Sequence, residues 1–135
     1  LKFPFALTAR AENFLHGRTD LKDTIRRLQA YQEAGADVLF APGIRTVEDI
    51  RAVTSSVDRP VNVIMGLQGV RLSVDELSAL GVRRISVGSA LARAAYGAML
   101  RGAREILRDG TFTFADGATP FGELNTLFAR PPAAS

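Results

Sequence analysis

The segment LTARAENF, residues 7–14, ends an apolar run with an arginine, a glutamate and an asparagine inside four positions. If the run is a strand, Arg10 projects just beyond its C-terminal end. A guanidinium there offers a planar fork of donors that suits the oxygens of a carboxylate or phosphonate. Glu12, one alternation away, can hold the fork in place, and Asn13 adds a neutral donor. The same residues also read as a loop-edge Arg10–Glu12 ion pair that serves no ligand.

Other strand ends offer less. At VGSA, Gly88 and Ser89 open a helix, where free backbone N–H groups bind anions; simple capping by Ser89 explains the same residues. His16, the single histidine, lies in the turn-like HGRTD and reads either as a proton shuttle or as an exposed loop residue. Asp37, Asp58 and Asp75 each stand alone, so no metal-ligand cluster is expected. Arg93, Arg101, Arg104 and Arg108 read as a solvated helix face. The small-residue run ALARAAYGA, residues 90–98, would admit the close approach of another helix.

Composition sets the frame. The 135 residues fit one domain by length, and 47% hydrophobic with 23% charged is an ordinary globular balance. The net charge of +3 rests on 17 basic residues, of which all but Lys2 and Lys22 are arginine. They are scattered, whereas a nucleic-acid footprint should be a patch or stripe, so no nucleic-acid partner is expected. With no cysteine, disulfides, thiolate metal sites and cysteine nucleophiles are excluded. No apolar run reaches membrane-spanning length and no signal pattern opens the chain, so the expected compartment is the cytoplasm. The chain starts at Leu1 inside what reads as a strand, and is expected to be a piece of something longer.

The positioning elements follow from hydrophobic period and caps. FPFALTA, residues 3–9, reads as a buried strand. Leu21, Ile25, Leu28 and Tyr31 have helical spacing, with Asp20 and Asp23 near the helix start and Gly35 after its end. ADVLFA, residues 36–41, is a second strand, followed by a helix capped by Thr46 with Asp49 at the capping-box position. Pro60 leads into a third strand, VNVIM, residues 61–65. Ser73 and Glu76 form a capping box before a helix ended by Gly81. RISV, residues 84–87, is the fourth strand, and a long helix runs from Ser89 to about Arg108. The segments 34–43 and 80–89 repeat the order helix end, glycine, strand, turn. Four strand–helix units with apolar strands predict a parallel sheet covered by helices, in the rhythm of a (β/α) barrel. Residues 111–135 read as a packing segment with one short helix near Phe121–Phe128 and a Pro/Ala tail. The strand C-terminal ends, where such folds place their sites, begin at Thr8, Ala41, Met65 and Val87.

TAR-x-E-N-F after an apolar strand, then LQAYQEAGADVLFAPG, PVNVI and GVRRISVGSALARAAYGA, resembles the C-terminal half of the isocitrate lyase/phosphoenolpyruvate mutase superfamily, over residues 3 to about 110. It is most similar to the group called 2-methylisocitrate lyase-like or phosphonomutase-like. The resemblance implies an α/β fold, a (β/α)8 TIM-type barrel of which residues 1–110 supply strands five to eight. It implies Mg2+, with its ligands in the other half, and an enolate formed from a small anionic oxo acid beside a C–C or P–C bond. It places Arg10 on the substrate's carboxylate or phosphonate, with Glu12 beside it; position at the strand ends alone makes Thr8, Asn13, Pro42, Gly88 and Ser89 further substrate-binding candidates. It implies a homo-oligomer, dimer or tetramer, that exchanges its last barrel helix. Pro42 stands where phosphonomutases carry histidine and methylisocitrate lyases glutamate, and Ile64 and Gly66 fall near the lyases' asparagine and hydroxyl positions. The expected activity is a Mg-dependent C–C lyase acting on a small oxo- or hydroxy-dicarboxylic acid. The alternatives are a phosphonate P–C mutase or hydrolase, and a half-barrel fragment or assembly module that is not catalytic alone.

Overall fold

A computed structural model describes residues 3–129; the expected Pro/Ala tail beyond Ala129 lies outside them. The chain forms two compact units, Leu1–Ala90 and Leu91–Ser135.

The first unit alternates strand and helix. Its strands are β1 (Thr8–Arg10), β2 (Val38–Phe40), β3 (Val61–Ile64) and β4 (Arg84–Ser86), and its helices are α1 (Leu21–Glu33), α2 (Val47–Ser55) and α3 (Val74–Ala79). The four strands form one sheet in the order β1-β2-β3-β4, and every neighbouring pair is parallel. This is the α/β arrangement expected of consecutive strand–helix units.

The helices begin where local chemistry starts them. Asp20 accepts from the Asp23 N–H and Thr46 from the Asp49 N–H, each satisfying a first-turn donor. Before α3 the capping box is reciprocal: Ser73 accepts from the Glu76 N–H, and the Glu76 carboxylate accepts from the Ser73 N–H at 2.7 Å. Those bonds, led by the one from the Ser73 backbone, hold the Glu76 carboxyl below its usual range.

One sheet face meets these helices. Leu39, Val61 and Val63 pack with Leu28 of α1, Ile50 and Val53 of α2 and Leu77 of α3 in one buried cluster. Alternation along the strands puts Thr8, Arg10, Val38, Phe40, Asn62, Ile64, Arg84 and Ser86 on the other face.

The strand expected over residues 3–9 is shorter. Pairing begins at Leu7, whose N–H donates to Asp37 Oδ2 at 2.8 Å and whose carbonyl accepts from the Asp37 and Val38 N–H groups. Phe3 and Phe5 precede it and are exposed; with no strand beside them, their apolar character builds no ladder. Likewise β4 stops at Ser86, one residue before the expected end, as the chain turns into the segment before Ala90.

In the second unit, α4 (Ala90–Asp109) precedes a 3-10 turn at Thr113–Gly117 and α5 (Phe121–Ala129). Glu105 ties α4 to that turn. Its carboxylate accepts from the hydroxyls of Thr111 and Thr113 and from the N–H groups of Thr113 and Phe114. These bonds, first the one from Thr111, lower its pKa. Gly102 is buried, and a Cβ there would lie 3.0 Å from the Phe114 ring.

Candidate functional site

Arg10 closes β1, and Phe40, its register partner, closes β2. The Arg10 guanidinium donates toward Glu12 Oε1 at 2.8 Å, and its central carbon lies 5.2 Å from the centroid of the Phe40 ring. The head is held from two directions, by a carboxylate and by the face of an aromatic ring. About half of each charged side chain remains open, 49% for Arg10 and 44% for Glu12, so water screens the pair and leaves room for a ligand.

Asn13 is differently employed. It is buried at the start of a 3-10 turn, Asn13–His16. Its Nδ2 lies 2.5 Å from Thr24 Oγ1, 3.2 Å from the Arg18 carbonyl and 3.4 Å from the Asp20 carbonyl. The amide hydrogens are therefore engaged within the chain, pinning the loop after β1 to the first turn of α1. Its Oδ1 is buried and has no partner among the described residues. His16 is exposed, with Nε2 3.9 Å from Glu12 Oε2. Glu12, Asn13, His16, Arg18 and Arg27 line a polar hollow of about 430 Å3 beside the strand end.

Among the remaining expected residues, Thr8 is half-buried on the face that carries Arg10, and Pro42 is buried just past β2. Gly43 follows with φ +104°, and a Cβ there would lie 2.8 Å from Phe14 Cβ, so glycine lets the loops after β1 and β2 touch. Gly88 and Ser89 are exposed in the turn between β4 and α4. Gly88 approaches the sheet closely, a Cβ there falling 3.3 Å from Ile64 Cδ1.

Three residues that the sequence reading passed over meet on the same face. Asn62 is fully buried. Its Nδ2 donates to Ser86 Oγ at 3.0 Å, and its Oδ1 accepts from an Arg84 guanidinium N–H at 3.2 Å. The one available signal was an asparagine inside the apolar strand VNVIM, since a buried amide must find partners. The identity of those partners needed the β3–β4 register.

No group of three or more His, Asp or Glu side chains among the described residues could hold a metal ion. The described residues therefore offer no all-protein cage for a metal ion, and no step is assigned to Mg2+ here. Among the described residues, no helix is long and apolar enough to cross a membrane.

Comparison with known proteins agrees with the parallel α/β fold. The chain is similar over 97% of its length to a Burkholderia cenocepacia J2315 protein assigned as a lyase/mutase, with 65% identity and a TM-score of 0.91, and covers 47% of that chain. A phosphonopyruvate hydrolase solved with oxalate and Mg++ is 30% identical over 92% of this chain, with a TM-score of 0.72 and 45% of its own length covered. Oxaloacetate decarboxylase 2 of Pseudomonas fluorescens (strain Pf0-1) is 33% identical over 70% of this chain, which spans 31% of that relative. The chain thus spans less than half of each of these proteins. The phosphoenolpyruvate phosphomutase family matches residues 1–107. The chain belongs to that family, within the phosphoenolpyruvate mutase/isocitrate lyase superfamily.

Proposed function

We propose that this chain supplies one side of the mouth of a (β/α)8 barrel enzyme that cleaves a C–C bond in a small oxo- or hydroxy-dicarboxylic acid through an enolate. On this reading residues 1–110 are its last four strand–helix units and residues 111–135 a packing segment. The observation that carries the proposal is the Arg10 guanidinium, held at a strand C-terminal end by Glu12 and the Phe40 ring. A cation fixed there binds and orients a carboxylate before the reaction, which removes rotational freedom from the reacting acid. Glu12 keeps the fork aimed, and the buried Pro42 and Phe40 limit water beside it. Relatives that act on oxaloacetate fit this substrate class. Mg2+, which accompanies oxalate in the phosphonopyruvate hydrolase, would polarise the oxo group when bound; its ligands belong outside the described residues.

The fork suits a phosphonate as well, and the similarity to the hydrolase favours P–C chemistry as the second reading. The lack of an acidic cluster among the described residues favours a third, a half-barrel that is inactive alone. A homo-oligomer that exchanges α4 is part of the proposal, supported by the exposed Leu91, Tyr96 and Met99. A cytoplasmic location is likewise proposed. The deciding experiment assays the full natural chain with Mg2+ on oxaloacetate and on phosphonopyruvate. Turnover of the first alone supports the lyase reading, and turnover of the second alone replaces it with P–C chemistry. Turnover of neither by the 135-residue chain on its own, with no rise in its melting temperature on adding Mg2+ and oxalate, supports the inactive half-barrel.

A further inference from the structure

The face opposite the helices carries a second cation. Arg10 pairs in register with Phe40, Phe40 with Asn62, and Asn62 with Arg84, so the two arginines end one row across four strands. Both heads lean inward along it. Arg10 lies over Phe40, and Arg84 reaches Asn62. Phe40 and Asn62 are on adjacent strands, about 5 Å apart. The two guanidinium groups thus converge above neighbouring positions.

The hydrogen-bond logic around Asn62 fixes what remains free. A guanidinium can only donate, so the amide oxygen must face Arg84. The amide nitrogen then faces Ser86, whose oxygen must accept. Among the described residues the Ser86 hydroxyl proton is left to point elsewhere, and the other N–H groups of Arg84 have no acceptor. Among the described residues no carboxylate pairs with Arg84, whereas Arg10 already has Glu12. What this cluster still offers is all donor and positively charged, braced by a fully buried amide. Its complement is a carboxylate.

We propose that Arg84 and Ser86, positioned by Asn62, form a second carboxylate subsite facing Arg10, so that the chain holds a small diacid by both ends with Phe40 as the floor between them. The inference rests on the reading of Arg10 as an anion anchor for a dicarboxylic acid, and adds to it the residues that hold the second carboxylate.

The test measures binding of malonate, succinate and acetate to the full natural chain by isothermal titration and by competition. Arg84→Gln is expected to lower diacid affinity about tenfold to a hundredfold, the range for a hydrogen bond to a charged group, and to leave acetate nearly unchanged. Ser86→Ala is expected to lower diacid affinity about threefold to tenfold. If Arg84→Gln does not fold, Ser86→Ala and Arg84→Lys carry the test through the diacid-to-acetate ratio. A ratio unmoved in the folded variants overturns the proposal. So does a fall in melting temperature at unchanged ratio, which would make Arg84 the partner of a protein carboxylate. Arg10→Ala separates the two readings. If it weakens both acid types while Arg84→Gln changes neither, only the second subsite fails. If it changes neither, the anchor itself fails.

Discussion

Phe40 stands directly opposite Arg10 in the β1–β2 register, and the Arg10 guanidinium lies 5.2 Å from the centre of its ring. The aromatic face fixes a flexible side chain at the strand end. Phe40→Leu keeps an apolar residue at this buried position and removes only the ring face. At a half-open site a cation–π contact contributes about 0.5–1 kcal/mol. Oxalate should therefore bind the Phe40→Leu chain about two- to fivefold more weakly, as read by titration calorimetry.

The Asn13 amide ties together three groups, the Arg18 and Asp20 carbonyls and the Thr24 hydroxyl. Asn13→Ala deletes these bonds and should destabilise the fold by about 1–3 kcal/mol. The loss is partly offset because the unpartnered Oδ1 leaves as well. Asn13→Asp should cost more, since it buries a carboxylate against two carbonyl oxygens. Urea unfolding of the two variants ranks them; an Asp variant as stable as the Ala variant would contradict the assigned orientation.

Gly43 and Gly17 both have positive φ, +104° and +74°, but only Gly43 is crowded. At Gly17 an added Cβ meets nothing within 4 Å, so Gly17→Ala should cost about 1–2 kcal/mol from backbone conformation alone. At Gly43 the Cβ would collide with Phe14 at 2.8 Å. Gly43→Ala should therefore cost more than the conformational term and shift the loop that carries Glu12. Thermal melts and oxalate affinity check both parts: Gly17→Ala should spare binding and Gly43→Ala should not.

Glu105 sets a pH dependence in the second unit. Donors led by the Thr111 hydroxyl lower its folded pKa below the ordinary value of 4.5. The stabilisation is therefore present above the unfolded pKa and is lost as pH falls through the depressed folded value. Asp109, whose pKa is lowered by Arg108, titrates on the same acid limb, and Arg101, Arg104 and Arg108 line the same hollow as Glu105. Glu105→Gln should be less stable than the parent at neutral pH, with the gap narrowing in acid. Amide shifts of Thr113 and Phe114 followed by NMR should lose the Glu105 titration in that variant.

What could be read from the chain alone was local. The Ser73–Glu76 capping box, the Thr46 cap and the span of α1 depend on residues within a turn of one another, and each is realised. The start of β1 was not readable, because Phe3 and Phe5 look like core and yet lie exposed; only the position of Asp37 shows where pairing begins. Arg10 and Glu12 were visible as a pair because a single residue separates them. Asn62, Arg84 and Ser86 were not, because a register spanning more than twenty residues brings them together. Asn13 looked like a ligand donor until the carbonyls of Arg18 and Asp20 were placed beside it.

The described sheet has two outer strands, β1 and β4, each hydrogen-bonded on one side only. Free rims of this kind recruit whatever extended chain is nearby. During purification the nearest such chain is another molecule of the same kind. Sedimentation of this 135-residue segment should drift to larger species with concentration, and charged residues placed outward along β4 should slow the drift.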